Sequence, residues 1–111
     1  MSKEIEDTLN RIKMILGPDV LNNIHTANGK NNTEILVFDV HGYSVKKAKR
    51  EINNIIALNR SGCQLRIVHG YNHGTAIKDM LNSEEFNNKK VLRKVGHINN
   101  AGITDLQIEK M

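Results

Sequence analysis

Asp39 and His41 form a pair whose residue types and spacing could carry out chemistry. On a β-strand, side chains two positions apart point to the same side, so the carboxylate could orient the imidazole. An oriented imidazole could take a proton from a water or from a ribose 2′-hydroxyl, as a general base does. In the alternative, which is commoner for an isolated Asp-x-His, Asp39 caps a turn and His41 bonds only to backbone.

The tetrapeptide Val-His-Gly-Tyr contains His41 and recurs around His69. The second copy opens a longer loop, HGYNHGTAIK, which adds a glycine, His73 and Lys78. Glycines allow the sharp turns and close approach that wrapping a phosphate requires, although the spacing is not that of a P-loop. These histidines and Asp39 could also form a mixed nitrogen and oxygen metal site, but their spacing matches no specific metal motif. We therefore assign no metal ligand and keep a divalent cation as an alternative cofactor.

Aromatic and basic residues in the same region suit a nucleic-acid ligand. Tyr43 and Tyr71 could stack on unpaired bases, or each ring could instead cover the end of the core. Basic residues could track a phosphate backbone or simply be solvated. The basic set comprises Lys46, Lys47, Lys49, Arg50, Arg66, Lys78, Lys89, Lys90, Arg93 and Lys94.

The hydrophobic pattern places these residues on a small number of elements. Apolar residues four, three and four positions apart predict a helix over residues 3–16, and a shorter helix is predicted over 19–27. The polar segment 28–33, rich in Asn and Gly, is typical of a linker. Two further helices follow Ser44 and Gly74, the first of them capped by Ser44. The predicted strands are 34–40, 64–70, 91–98 and 103–110.

The order β-α-β-α-β-β predicts a two-layer α/β sandwich with a mixed four-stranded sheet. The first two strands should be parallel because a helix separates them, and the last two should form an antiparallel hairpin. Both His-Gly-Tyr turns would then lie at one edge of the sheet, beside two helix N-termini that favour anions. We divide the chain into a helical extension and linker, residues 1–33, and one domain, residues 34–111.

The composition limits the class of protein. The chain has 111 residues and a net charge of +4, and residues 34–111 carry the whole excess, which suits a polyanion partner. It has a single cysteine, Cys63, no apolar leader after the first Met and no apolar run near the ~20 residues of a membrane span. We therefore expect a cytoplasmic protein with no membrane partner. The apolar stripe of the first helix could pack on the domain or form a homodimer contact.

FDVHG at residues 38–42 and VHGYNHG at residues 68–74, taken with their spacing, resemble the small MutS-related (Smr) domain. That family has a strand ending in Leu-Asp-Leu-His-Gly, then a helix, then a strand ending in a His-Gly-x-Gly-x-Gly type loop. The segment HINNAGITDLQIE is similar to the Gly-containing last hairpin of the family, so the resemblance covers residues 34–111. This chain departs from the second motif at Tyr71 and Asn72, where the family has lysine and glycine.

The resemblance implies the β-α-β-α-β-β fold of the C-terminal domain of a translation initiation factor, and it implies binding to DNA or RNA. Several members of the family are endonucleases, so the chain is a candidate endonuclease that nicks DNA or cleaves RNA. The alternatives are a non-catalytic nucleic-acid-binding module and an adaptor that assembles with a protein partner through its N-terminal helices. The predicted catalytic residues are Asp39, His41 and His69. The predicted nucleic-acid-binding residues are Gly42, Tyr43, Lys46, Lys47, Arg50, Gly70, Tyr71, Asn72, His73, Gly74, Thr75 and Lys78.

Overall fold

A mixed five-stranded sheet is the centre of the computed structural model, which describes residues 2–70, 74–97 and 99–110. The helices are α1 (Lys3–Ile15), α2 (Pro18–Leu21), α3 (Val45–Leu58) and α4 (Ala76–Leu81). The strands are β1 (Ile24–Asn28), β2 (Glu34–Asp39), β3 (Cys63–Val68), β4 (Val91–His97) and β5 (Asn100–Ile108). Within the described parts of the chain, no helix is long and apolar enough to cross a membrane.

The strand order across the sheet is β1-β2-β3-β5-β4. The β2 and β3 strands are parallel, and β4 and β5 are antiparallel, as the sequence predicts. The β5 strand lies between β3 and β4 and starts at Asn100, earlier than the predicted position 103. From β2 onward the observed order is therefore the predicted β-α-β-α-β-β, and both His-Gly-Tyr turns follow strands that end at the same edge.

The predicted number of strands is wrong, because residues 24–28 form a strand rather than the end of a helix. The α2 helix ends at Leu21, and β1 then pairs antiparallel with β2. The β-branched residues Ile24 and Thr26 favour extended backbone, and the edge of β2 offers them hydrogen-bond partners. Tertiary pairing thus overrides the weak helical pattern, and the predicted linker is the turn of a hairpin.

The helices cover one face of the sheet, where the main core lies. Leu36, Leu65 and Leu106 from the strands are fully buried together with Ile12 of α1 and Ile52 of α3. The α3 helix starts as predicted, since the Ser44 hydroxyl accepts a hydrogen bond from the Lys47 backbone N–H at 3.1 Å. Because α1 contributes to this core, residues before position 33 pack with residues after it. The domain boundary proposed there stays a prediction.

Among the described residues, no α-helix packs on the other face of the sheet, called here the open face. Side chains alternate along each strand, so Val37, Arg66 and Asp105, which are paired across neighbouring strands, point to this side. Val37 is nevertheless buried, as is Ile35 two positions before it. A Cβ built on Gly29 would lie 2.7 Å from Ile35 Cδ1, so the absence of a side chain lets the β1–β2 turn fold down on this isoleucine.

Candidate functional site

The two His-Gly-Tyr turns lie side by side at one rim of the sheet. The Val40 backbone N–H donates to the Val68 carbonyl at 2.9 Å, one residue before each histidine. Gly70 has a φ of 74°, which favours glycine, and a Cβ built there would lie 3.6 Å from His41 Cβ. The structure therefore brings residues 41 and 69 together, as the sequence predicts from the parallel strands.

His41 is exposed and is held by Asp39. The Asp39 carboxylate oxygen Oδ1 lies 2.6 Å from His41 Nδ1, and the same oxygen accepts from the His41 backbone N–H at 3.1 Å. The His41 side chain is 71% exposed. With Nδ1 donating to the carboxylate, Nε2 is the nitrogen that can accept a proton, and no described residue hydrogen-bonds to it. The Asp39 carboxylate thus caps the turn and also orients the imidazole, and the catalytic role of the pair stays a prediction.

His69 is buried at 6% exposure, and both ring nitrogens have partners inside the protein. Nδ1 lies 2.9 Å from the Gly70 carbonyl, and Nε2 lies 2.9 Å from the Thr104 hydroxyl. The carbonyl can only accept, so Nδ1 carries a proton and a neutral ring accepts from Thr104 at Nε2. The ring thus links the second turn to β5. The catalytic role predicted for His69 stays untested, and these contacts support a positioning role.

A cleft of about 530 Å³ opens beside the two turns. The walls come from both turns and from the first residues of α3 and α4. Lys78 lines the cleft and supplies a positive charge, and the first N–H groups of α3, which have no partner within the helix, start at its wall with Val45. The lining residues are His41, Gly42, Tyr43, Val45, Val68, His69, Gly70, Gly74, Ala76, Ile77 and Lys78.

Tyr43 is more fixed than a free stacking platform would be. The ring packs edge-on against Phe38, with centroids 6.0 Å apart, and its hydroxyl accepts from Asn23 Nδ2 at 2.8 Å. Lys47 Nζ lies 4.3 Å from the ring centroid, in cation–π contact with one face. Tyr43 therefore closes the end of the core and also holds a cation at the mouth of the cleft.

The basic residues that the sequence groups together fall on different parts of the fold. Lys46, Lys47 and Arg50 are exposed on α3, whereas Arg66 and Arg93 belong to the open face. Three other lysines already have partners within the protein. Lys49 lies 3.6 Å from Glu85, and Lys94 donates to the Phe86 carbonyl. Lys90 donates to the Ile56 and Asn59 carbonyls at the end of α3. Burial lowers the pKa of Lys90, against the opposing charges of Cys63 and Glu109. No single basic patch runs over the described residues.

The loop between the two glycines of the second turn is described only in part. Tyr71, Asn72 and His73, all predicted to bind nucleic acid, lie outside the described residues. Gly74 is exposed with a φ of 102°, and the Thr75 hydroxyl donates to Asp79 at 2.9 Å. The Thr75 side chain thus has an acidic neighbour on α4 rather than a role as the cap of that helix.

Two groups of residues acquire a role that sequence patterns do not reveal. Thr104 belongs to the row of β5 residues, with Leu106 and Ile108, that points toward the core. A hydroxyl in such an apolar row is the one sequence signal that a buried polar partner is needed, and in the structure that partner is His69. Asp105, on the open face, is bound by Gln64 and Arg66. His97 Nε2 also lies 2.8 Å from that carboxylate. The contacts of Asp105 with these three residues depend on the order of the strands in the sheet, which no local sequence pattern specifies.

Metal and thiol chemistry find no support in the described geometry. Among residues 2–70, 74–97 and 99–110, no three His, Cys, Asp or Glu side chains come together as a metal site would require. Burial raises the pKa of the Cys63 thiol to about 11, against a smaller opposing effect of Lys90, so little of the reactive thiolate forms at neutral pH. Among the described side chains of the rim, Asp39 and His41 are the candidate pair for acid–base chemistry.

A scan against protein-family models finds no match to this chain, and a search of curated proteins finds no significant match either. The resemblance to the Smr domain therefore rests on the residues of the two motifs, and it stays a prediction.

Proposed function

We propose that the protein binds nucleic acid at the rim cleft and cleaves a phosphodiester bond there, with His41 as the general base. The observation that carries this proposal is the Asp39–His41 pair. The imidazole is exposed, its Nδ1 is held by a carboxylate at 2.6 Å, and His41 lines the cleft, so Nε2 is left for a ligand. A general base requires this combination of an oriented ring and an accessible nitrogen.

The proposed reaction starts with transfer of a proton to His41 Nε2. The proton comes from a ribose 2′-hydroxyl or from a water, and the resulting oxygen attacks phosphorus while the bond to the leaving oxygen breaks. The leaving oxygen takes its proton from solvent. Lys78, which lines the cleft, would stabilise negative charge on the phosphoryl oxygens, together with the free N–H groups at the start of α3. Asp39 keeps the ring in one tautomer and stabilises the imidazolium that forms.

Cations on α3 extend the proposed contact beyond the cleft. Lys46 and Arg50 are four positions apart and so lie on one side of the helix, and both are exposed. Lys47 sits above Tyr43 at the mouth. Phosphate contacts by such residues give affinity without reading sequence. This arrangement supports a backbone-binding surface that leads into the cleft.

The second candidate is a nucleic-acid-binding module without catalysis, and the burial of His69 favours it. Cleavage proceeds faster when a second group protonates the leaving oxygen. Both nitrogens of His69 are already hydrogen-bonded within the protein, so this histidine offers no proton donor to a ligand in the cleft. Binding by Lys78 and the α3 cations needs no such group.

One assay separates the two candidates. Labelled single-stranded RNA and supercoiled plasmid are incubated with the wild type, with His41→Ala and with His25→Ala, each in magnesium and in chelator. His25 is an exposed histidine on β1, outside the cleft, and is the matched control. We expect His41→Ala to lower the cleavage rate at least ~100-fold and His25→Ala to leave it unchanged.

The outcomes are distinct. Equal cleavage by wild type and His41→Ala would show that the products come from a contaminant or from another site. Binding without cleavage by the wild type would establish the second candidate. If the wild type binds neither nucleic acid at low salt, where phosphate contacts are strongest, both candidate functions are wrong.

A further inference from the structure

The open face of the sheet carries a second concave surface, a groove of about 1050 Å³. It begins at the β1–β2 turn, at Asn28 and Lys30, and crosses β2, β3 and β5 to reach Arg93 and His97 on β4. With neighbouring strands about 4.8 Å apart, five strands give a width of roughly 19 Å. This surface, called here the open-face groove, is long enough for several consecutive units of a polymer.

The charge of the groove is positive. Its lining, among the residues that the structure describes, contains Lys30, Arg66 and Arg93 and a single carboxylate, that of Asp105. That carboxylate is already bound, by Arg66 Nε at 2.9 Å and by Gln64 Nε2 at 2.8 Å. Neither Lys30 nor Arg93 forms a side-chain hydrogen bond or ion pair with a described residue, and both are exposed. The two uncommitted cations at opposite ends are therefore available to an anionic partner.

The remaining chemistry of the groove suits a nucleic acid better than an acidic protein. Protein interfaces bury an apolar or aromatic centre, but of the two branched apolar side chains that line the groove Ile35 is already buried and Val95, 47% exposed, stands alone. What the groove exposes is largely amide, guanidinium, ammonium and imidazole groups, which hydrogen-bond to phosphates and to base edges. No Phe or Tyr among the described residues lines it, so the contact would rest on charge and hydrogen bonds.

The open-face groove lies close to the catalytic rim. Asp39 alternates with Val37 along β2 and so belongs to the open side, and its partner His41 lines the cleft at the end of the same strand. The row that contains Arg66 is two residues further down the strands, about 7 Å away. A strand that places a phosphate at His41 can therefore pass over the rim and continue onto the open face.

We infer that the open-face groove binds a single-stranded stretch of nucleic acid flanking the phosphate that His41 attacks, with Lys30 and Arg93 contacting phosphates at its two ends. This inference rests on the proposed function, because it extends the same ligand. It makes the substrate an unpaired strand of several nucleotides, since a rigid duplex would not bend from the cleft over the edge of the sheet.

The test compares short and long oligonucleotides. Fluorescence anisotropy measures the affinity of labelled single strands of ~4 and ~12 nucleotides, the shorter matching the cleft alone and the longer the cleft plus groove. The variant is Lys30→Gln with Arg93→Gln. The control is Lys3→Gln with Lys13→Gln, which removes the same charge from exposed positions on α1, outside the groove. Unfolding midpoints of all proteins confirm that the substitutions leave the fold intact.

We expect the Lys30/Arg93 variant to bind the long strand ~10-fold more weakly and the short strand unchanged, while the control matches the wild type. The slope of log affinity against log salt for the long strand should fall by ~1.4, which corresponds to two lost phosphate contacts. Equal weakening by variant and control would overturn the inference, because the effect would then be one of net charge. Polyglutamate that competes as well as the oligonucleotide would also overturn it, in favour of an acidic protein partner. If the wild type binds neither strand, the proposed function itself fails.

Discussion

The two copies of Val-His-Gly-Tyr have the same residues and opposite environments. In the first copy His41 reaches solvent, with its side chain 71% exposed. In the second copy His69 is 6% exposed and hydrogen-bonded on both nitrogens. The first histidine is therefore free to meet a ligand, while the second ties its turn to β5.

A difference of one residue in strand register explains this contrast. Asp39 pairs with Val68 in the parallel β2–β3 ladder, so Val40 lies level with His69, and His41 lies level with Gly70. Side chains alternate between the two faces of a sheet, and a shift of one position moves a side chain to the other face. Val40 and His69 thus both point toward the helices and are buried. A repeated motif need not repeat its function when its copies are out of register.

The largest effect on stability is expected for His69→Ala. The change leaves a cavity and removes the partner of the buried Thr104 hydroxyl, which together should cost about 2–3 kcal/mol of the free energy of unfolding. Urea unfolding at neutral pH measures this loss. Cleavage or binding per folded molecule should stay near that of the wild type.

Thr104→Val is the companion variant, because it removes the same hydrogen bond without opening the cavity. We expect a smaller loss, about 1 kcal/mol. If His69→Ala keeps the full stability of the wild type but loses cleavage, His69 acts in catalysis rather than in holding the turn to β5.

The next effect concerns Asp105 on the open face, whose carboxylate binds both Arg66 and His97, whereas Asp39 at the rim binds His41. Burial by itself raises the pKa of the Asp105 carboxyl, but hydrogen bonds from Arg66 and His97, and their charges, bring the pKa below its ordinary value. Asp105→Asn should therefore cost about 2 kcal/mol at neutral pH. Asp19→Asn, at an exposed position on α2, is the control and should change stability little.

The pH dependence of unfolding sharpens this prediction. Because the pKa of Asp105 is lower in the folded state, its carboxylate stabilises the fold above the unfolded value of about 3.9. That stabilisation is lost as the pH falls through about 3.9 and then through the folded pKa. The wild type should lose stability more steeply than Asp105→Asn below about pH 5. Parallel curves for the two proteins would show that the carboxylate adds nothing to the fold.

The sequence predicts much of the fold because local signals and chain order agree. Nearly continuous apolar runs mark β2 and β3, the helix between them makes them parallel, and Ser44 marks the start of α3. The β1 strand escapes prediction because its extended form depends on the edge of β2 more than on its own residues. Pairing across a sheet is information that a local pattern does not hold.

The candidate site is predictable in its location and less so in its roles. That residues 41 and 69 share one rim follows from parallel strands ending at the same edge. Which histidine faces solvent depends on a one-residue register difference, which the chain order leaves open. The same limit separates Lys46 on α3 from Arg93 on the open face, because the sequence gives their charge and not their side of the sheet.

A smaller effect is expected for the residue that orients His41. Asp39→Asn keeps an oxygen near Nδ1 but removes the negative charge, so the ring is held less firmly and the imidazolium is stabilised less. We expect the cleavage rate at saturating substrate to fall ~10-fold, with KM little changed. An unchanged rate would mean that the 2.6 Å contact is only a turn cap, and a raised KM alone would assign Asp39 to binding.

The smallest effect separates the rim cleft from the general positive charge of the protein. Lys78 lines the cleft. Lys13 is exposed on α1, in the segment of residues 1–33, which carries no net charge. If a phosphate enters the cleft beside His41, Lys78→Gln should weaken binding of a ~4-nucleotide strand about 5-fold and lower its salt slope by ~0.7, one phosphate contact. Lys13→Gln should leave both quantities unchanged, and equal changes in the two variants would mean that the strand is held by diffuse charge rather than by the rim that His41 occupies.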